Sequence, residues 1–257
     1  MDKPNHYRDG IRDDRHKIIL IWTPKAGCTL GVSMMFQHMG LLKKALACKQ
    51  GPIHGYRHHF YRTVGYVDVN KHIVAEKYRV LKLIRNPYDR AVSQYLFCMK
   101  RDKLRQSFRE YLQILKDHKM VYMVNGKHMP RVTNHSLTQY IPGEEKYVTE
   151  YLRLESIHSD LQRITAKYGW KLLIPGGIPT AHHTLREGGG GSGSGSGGGA
   201  GSTDGGGGSV YLGDKPFAQL PQKVPSSYRC FYNADTRRLV EELYGDDVRR
   251  YGYAFYE

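Results

Sequence analysis

Cysteine is scarce in this chain. Four occur in 257 residues, at positions 28, 48, 98 and 230, and no two form a CxxC pair. That argues against a disulfide scaffold and a cysteine-rich zinc module, and a reducing compartment is the simplest expectation. Long apolar runs are missing as well. The longest near the start, Ile18 to Trp22, is far too short to cross a bilayer. No small-residue cleavage site follows it, so no signal peptide is read. Acidic residues are in deficit: 24 Asp plus Glu stand against 39 Lys plus Arg, a formal charge of +15. With 40% apolar and 25% charged residues, the chain reads as soluble and globular, with a sizeable core in one large domain or two small ones.

Glycine is abundant only in one place. Gly188 to Ser209 holds 14 of the 29 glycines, interrupted only by serines, Ala200, Thr203 and Asp204. Such a tract has no side chains to bury and a high ordering entropy, so it is expected to be flexible, with a span of about 26 Å. Its pattern is that of a designed linker replacing a loop; a natural low-complexity loop is the alternative. Without it the charge becomes +16, since Asp204 drops out.

The remainder alternates strand-like and helix-like stretches. Residues 1–16 are polar and read as a frayed, flexible terminus. Lys17 to Trp22 reads as a buried strand, and a helix is expected from about Cys28 to Cys48. Gly51 to Val69, rich in His and Tyr, reads as irregular. Tyr78 to Ile84 is a second buried strand, after which Asn86 suits a helix N-cap, Pro87 its first position and Asp89 its first turn. Further helices are expected at Phe108 to Leu115, near Ile157 to Tyr168 and at Asp235 to Tyr251, with strands at Tyr151 to Leu154 and Lys171 to Ile174. The fold expected over 17–257 is a single α/β domain with a central, mainly parallel sheet flanked by helices.

Two strand-turn-helix units carry chemistry. In the first, Ile18–Thr29, a buried strand runs through Thr-Pro-Lys-Ala-Gly-Cys-Thr into a helix. Unpaired N–H groups at a helix start face the positive end of its dipole and suit an anion. Lys25 adds a charge, Thr29 a hydroxyl, and Gly27 close backbone approach. It is not a Walker motif, because the lysine precedes the glycine. In the second unit, Leu83–Tyr95, the guanidinium of Arg85 and the hydroxyl of Ser93 could converge on another phosphate.

Together the units resemble the two nucleotide-binding signatures of the sulfotransferases, enzymes that use 3'-phosphoadenosine 5'-phosphosulfate (PAPS). Thr23–Thr29 is similar to the family's 5'-phosphosulfate loop, and Arg85-Asn-Pro-Tyr-Asp-Arg-Ala-Val-Ser93 to its 3'-phosphate motif. Two later stretches, Tyr151–Ile157 and Tyr232–Phe255, resemble the carbohydrate (Golgi-type) branch. The resemblance implies a P-loop-like phosphosulfate-binding turn and transfer of a sulfuryl group from PAPS to an acceptor hydroxyl, on a glycan or a small hydroxyl compound. Lys25 would stabilise the bridging oxygen of the leaving phosphate. Lys25, Ala26, Gly27, Cys28, Thr29 and Leu30 would line the 5' end, and Arg85 and Ser93 would hold the 3'-phosphate. PAP is the product, and no metal is required.

An acceptor hydroxyl also needs a base. The segment Gly51–Phe60 offers His54, His58 and His59, and the resemblance to uronyl 2-O-sulfotransferases favours His59, 26 residues before Arg85, with His58 next. His182 and His183 could face the acceptor. Lys100, Arg101, Lys103, Arg105 and Arg109 recur along an expected helix. The rival readings are a sulfotransferase for a small alcohol, phenol or amine, and a non-catalytic nucleotide- or polyanion-binding protein; no nucleic-acid motif is present. The expected location is cytoplasmic or soluble, or the Golgi lumen if an N-terminal anchor has been removed.

Overall fold

The computed structural model describes residues 10–63, 78–117, 122–124, 127–129, 136–177, 210–221 and 228–255. The Gly/Ser tract, His182, His183 and residues 1–9 lie outside them.

The main sheet has four strands: β1 (Gly10–Asp13), β2 (Ile18–Trp22), β3 (Arg79–Ile84) and β6 (Val148–Arg153), in the order β1-β2-β3-β6. β2 pairs parallel with β3, and β3 with β6, while β1 runs antiparallel along the edge. β4 (Tyr122–Val124) and β5 (Lys127–Met129) form a separate hairpin. The helices are α1 (Cys28–His38), α2 (Leu42–Leu46), α3 (His54–Thr63), α4 (Pro87–Asp102), α5 (Phe108–Asp117), α6 (Ile157–Tyr168) and α7 (Ala234–Tyr251). This is the α/β domain, its mostly parallel sheet flanked by helices, that the sequence predicts.

Alternation along the strands divides the core. Ile18, Leu20, Trp22, Leu81, Leu83 and Leu152 join the core residues of α1, α2, α3 and α6 in one apolar cluster. α1 lies so close to the sheet that a Cβ at Gly31 would overlap Leu83. A second apolar cluster unites α4, α5 and α7 around Tyr95, Phe108, Phe231 and Tyr244. Between α7 and the sheet, Ile84, Tyr140 and Tyr251 make a smaller one.

Several local expectations need correction. Gly10–Asp13 is not frayed: it forms β1, because Ile11 inserts fully into the main core. The long first helix stops at His38, where Gly40 adopts a left-handed φ of 71° and the chain restarts as α2. The His- and Tyr-rich stretch is not irregular over His54–Thr63, which is α3, anchored by Phe60 edge-on to Phe36. Lys171 to Ile174 forms no strand; Leu172 is buried in the main core without a ladder partner. The basic residues 100–109 do not share one helix, since α4 ends at Lys103 in the left-handed conformation and α5 begins at Phe108.

Candidate active site

Because β2 and β3 are parallel neighbours, the loops leaving them emerge at the same edge of the sheet. The first loop is tightly turned. The Ala26 N–H donates to the Thr23 carbonyl at 3.1 Å, and Lys25 takes a φ of 69°. Gly27 caps α1 with a φ of 90°, where a Cβ would also come within 3.0 Å of Leu154 Cδ1. The first turn of α1 holds no acidic residue and no side chain caps it. No carboxylate of that turn competes for those N–H groups, an arrangement that suits an anion.

Lys25 is half-buried, its ammonium 4.5 Å over the Phe97 ring. Burial lowers its pKa from 10.5 to about 8; the nearby Arg85 charge adds to this and the Cys28 thiol opposes it. Cys28 and Thr29 are partly exposed at the start of α1, whereas Ala26 and Leu30 are buried and offer only backbone.

The second loop follows β3. Asn86 caps α4 by accepting from the Tyr88 N–H at 2.9 Å, with Pro87 in the first position, as the sequence predicts. Arg85 Nη1 donates to the Lys25 carbonyl at 3.2 Å, so the two loops touch. The guanidinium also lies 5.7 Å from the Tyr228 ring, which comes from beyond the glycine-rich tract. Ser93 is fully buried and its hydroxyl has no hydrogen-bond partner; the same is true of the buried Thr23 hydroxyl. An unsatisfied buried hydroxyl costs about 1–3 kcal/mol. Two such hydroxyls, Thr23 in the first loop and Ser93 in the second turn of α4, fit a ligand rich in acceptor oxygens.

Three residues that the sequence reading left without a role hold these loops in place. Arg90, buried in α4, donates from Nε to the Pro24 carbonyl at 3.1 Å and from Nη2 to the Leu137 carbonyl at 2.5 Å. The Gln139 amide grips the Arg85 backbone from both sides, accepting from its N–H at 2.9 Å and donating to its carbonyl at 2.8 Å. Glu155 accepts from the Asn86 N–H at 2.6 Å and from the Tyr253 hydroxyl at 3.0 Å. Arg153 reaches the Tyr251 carbonyl at 2.5 Å. The Tyr151–Ile157 and Tyr232–Phe255 stretches thus meet at the Arg85–Asn86 corner. Arg90 was visible in the sequence as the second arginine of the second motif; Gln139 carried no signal.

The histidines separate. His54, at the start of α3, lies with Nε2 3.0 Å from the Thr29 hydroxyl. His58 and His59 are exposed, against Tyr61 and Tyr56 respectively. The fold therefore brings to the first loop the histidine ranked lowest from sequence. One helical turn separates His54 from His58, which a reading of this stretch as irregular could not take into account.

Two strand-turn-helix loops, bridged by arginines, stand on one edge of a mainly parallel sheet in a single α/β domain. The sequence matches the sulfotransferase family over residues 8–167, more than half its length, and the chain belongs to that family. Neither a curated protein nor a solved structure was found to match it.

Proposed function

We propose that the protein transfers a sulfuryl group from PAPS to a hydroxyl on a carbohydrate. The observation that supports this most is the contact between the loops: Arg85 bonds the Lys25 carbonyl, and orphaned buried hydroxyls stand at Thr23 in the first loop and at Ser93 in α4. PAPS supplies the sulfuryl group and a phosphoadenosine leaving group. Lys25 and the first N–H groups of α1, at Cys28 and Thr29, hold the 5' end and neutralise charge where the leaving phosphate forms. Arg85 and Ser93 hold the 3'-phosphate.

For the base we assign His54 in place of His59 and His58, since it is the imidazole held against the first loop. It accepts the acceptor's hydroxyl proton as the new S–O bond forms, a role worth about 10² to 10⁴ in rate. The net charge of +15 favours an anionic glycan over a neutral small alcohol.

The donor test compares PAP with AMP in thermal unfolding. PAP at a hundredfold excess over its dissociation constant should add about 2.7 kcal/mol, and AMP far less. Equal shifts would reject the role of Arg85 and Ser93. Labelled PAPS offered with glycans, phenols and small alcohols then reads the acceptor class. In the same assay His54→Ala should lower turnover within the range above and leave PAP affinity unchanged, while His59→Ala stays near wild type. The reverse ranking would return the base to His59.

A further inference from the structure

Away from both loops, at the far end of α1, three side chains from separate elements converge. Asp13 closes β1, His16 lies in the turn before β2, and His38 ends α1. The two oxygens of Asp13 do different work. Oδ1 accepts from the N–H groups of Arg15 at 2.9 Å and His16 at 3.2 Å, and so holds the turn. Oδ2 faces both imidazoles, 2.7 Å from His16 Nδ1 and 3.4 Å from His38 Nε2. The three ligand atoms lie within 4.8 Å of one another.

His38 supplies an independent observation. Its side chain is only 9% exposed, and its Nε2 is buried without a hydrogen-bond partner. The ring does have a backbone hydrogen bond to Lys171. With Nε2 unpartnered, that bond uses Nδ1, and the proton on Nδ1 is donated to the Lys171 carbonyl. In the neutral ring Nε2 is then a bare lone pair aimed at a carboxylate oxygen. Two acceptors facing each other in a buried place repel, and a cation between them removes the repulsion. An outer hydrogen bond from a ring N–H to a carbonyl is also the usual way a metal-binding histidine is oriented.

We propose that Asp13, His16 and His38 form a zinc site clamping the β1–β2 turn to the end of α1. Two imidazole nitrogens and one carboxylate oxygen suit Zn²⁺ better than Mg²⁺ or Ca²⁺, which prefer all-oxygen sets. Zinc bonds of about 2.0–2.1 Å in tetrahedral geometry set ligand atoms roughly 3.3 Å apart. His38 and Asp13 already stand 3.4 Å apart. His16 has to retreat by about 0.6 Å to reach that spacing, and its side chain, 36% exposed on a turn, has room to do so. The same exposure opens a path for the ion and leaves the fourth position to water. The metal replaces the Nδ1 proton of His16, which moves to Nε2 through solvent. The sequence reading expected no metal, since the resemblance required none; the fold brings His38 of α1 against the Asp13–His16 turn.

The test starts from protein stripped with a chelator. Zn²⁺ is titrated against a competing chromophoric chelator, and Co²⁺ is added separately to read the geometry from its visible spectrum. Expected are one Zn²⁺ per chain, a rise in Tm, and the intense bands of tetrahedral Co²⁺. His16→Ala, at a half-exposed position that leaves the core intact, should weaken zinc binding more than about tenfold. His38→Gln should do the same, and His158→Ala, at an exposed histidine on α6, should not. No uptake by the wild-type chain, an octahedral Co²⁺ spectrum, or His16→Ala binding as tightly as wild type would each overturn the proposal.

Discussion

Leu81 and Leu83 leave β3 on one side and enter an apolar cluster shared with α1, α2, α3 and α6. Lys82, between them, leaves on the other and is equally buried. Its ammonium pairs with Glu144 and donates to the Gln139 carbonyl at 2.6 Å. Glu144 also accepts from the hydroxyls of Tyr251 at 2.7 Å and Tyr151 at 3.1 Å. Asp247 of α7 accepts from the N–H groups of Gln139 and Tyr140. One face of the strand is held by area alone; on the other, directed bonds are added to the apolar contacts of Val80 and Ile84. The directed face is also the one that reaches the site, because Gln139 grips Arg85 and Arg90 grips Pro24. Apolar packing tolerates small slips; a chain of hydrogen bonds fixes where a loop carbonyl or guanidinium stands.

The sharpest way to break this contrast is Lys82→Met. It leaves Glu144 buried without its cation, and such a loss costs about 3–5 kcal/mol. Leu83→Ala on the opposite face should cost about 2–5 kcal/mol through a cavity. Urea unfolding measures both. The distinguishing arm is Lys82→Met combined with Glu144→Leu, which should recover much of the loss, whereas no partner change rescues Leu83→Ala. If the double variant is no better than Lys82→Met, the pair is not what holds this face.

Arg90→Lys comes next in size. The charge is kept, but the planar fork that reaches two carbonyls in different segments is lost. Stability should fall by about 1.5–3 kcal/mol. PAP affinity, measured by calorimetry where the variant is still folded, should fall further than it does in Leu83→Ala. Equal affinities in the two variants would make Arg90 a core residue with no bearing on the loops.

The same contrast explains what was legible in the chain. Ile18–Trp22 and Val80–Ile84 are dense enough in apolar residues to read as strands, and the Asn86-Pro87 start of α4 is local chemistry. Both strand-turn-helix motifs are contiguous, so they too can be read. α3 was missed because its surface is polar, with His and Tyr hiding the buried Ile53 and Phe60. The polar face was missed because its partners are far apart: Lys82 meets Glu144 across 62 positions, and Gln139 meets Asp247 across 108. No periodicity marks such pairs. The nearness of His54 to Thr29 is hidden for the same reason, since it exists only once α3 is folded against α1.

The smallest effect, and the most specific, concerns Lys25. Burial sets its folded pKa at about 8, against an ordinary 10.5 in the unfolded chain. Below about pH 8 the lysine is charged in both states and contributes no slope. Between about 8 and 10.5 the unfolded chain binds a proton that the folded chain has lost, so stability from this group rises with pH. Ligand binding runs the other way, since a neutral Lys25 offers no charge to the 5'-phosphate. PAP affinity should therefore fall as pH rises through about 8, by about tenfold at one unit above, with a proton taken up on binding. Calorimetry from about pH 7 to about pH 9.5, in buffers of different ionisation enthalpy, reads both quantities. Lys25→Met should bind weakly and show neither the slope nor the proton uptake. A slope that survives in Lys25→Met would assign the titration to another group and remove the charge-neutralising role from this lysine.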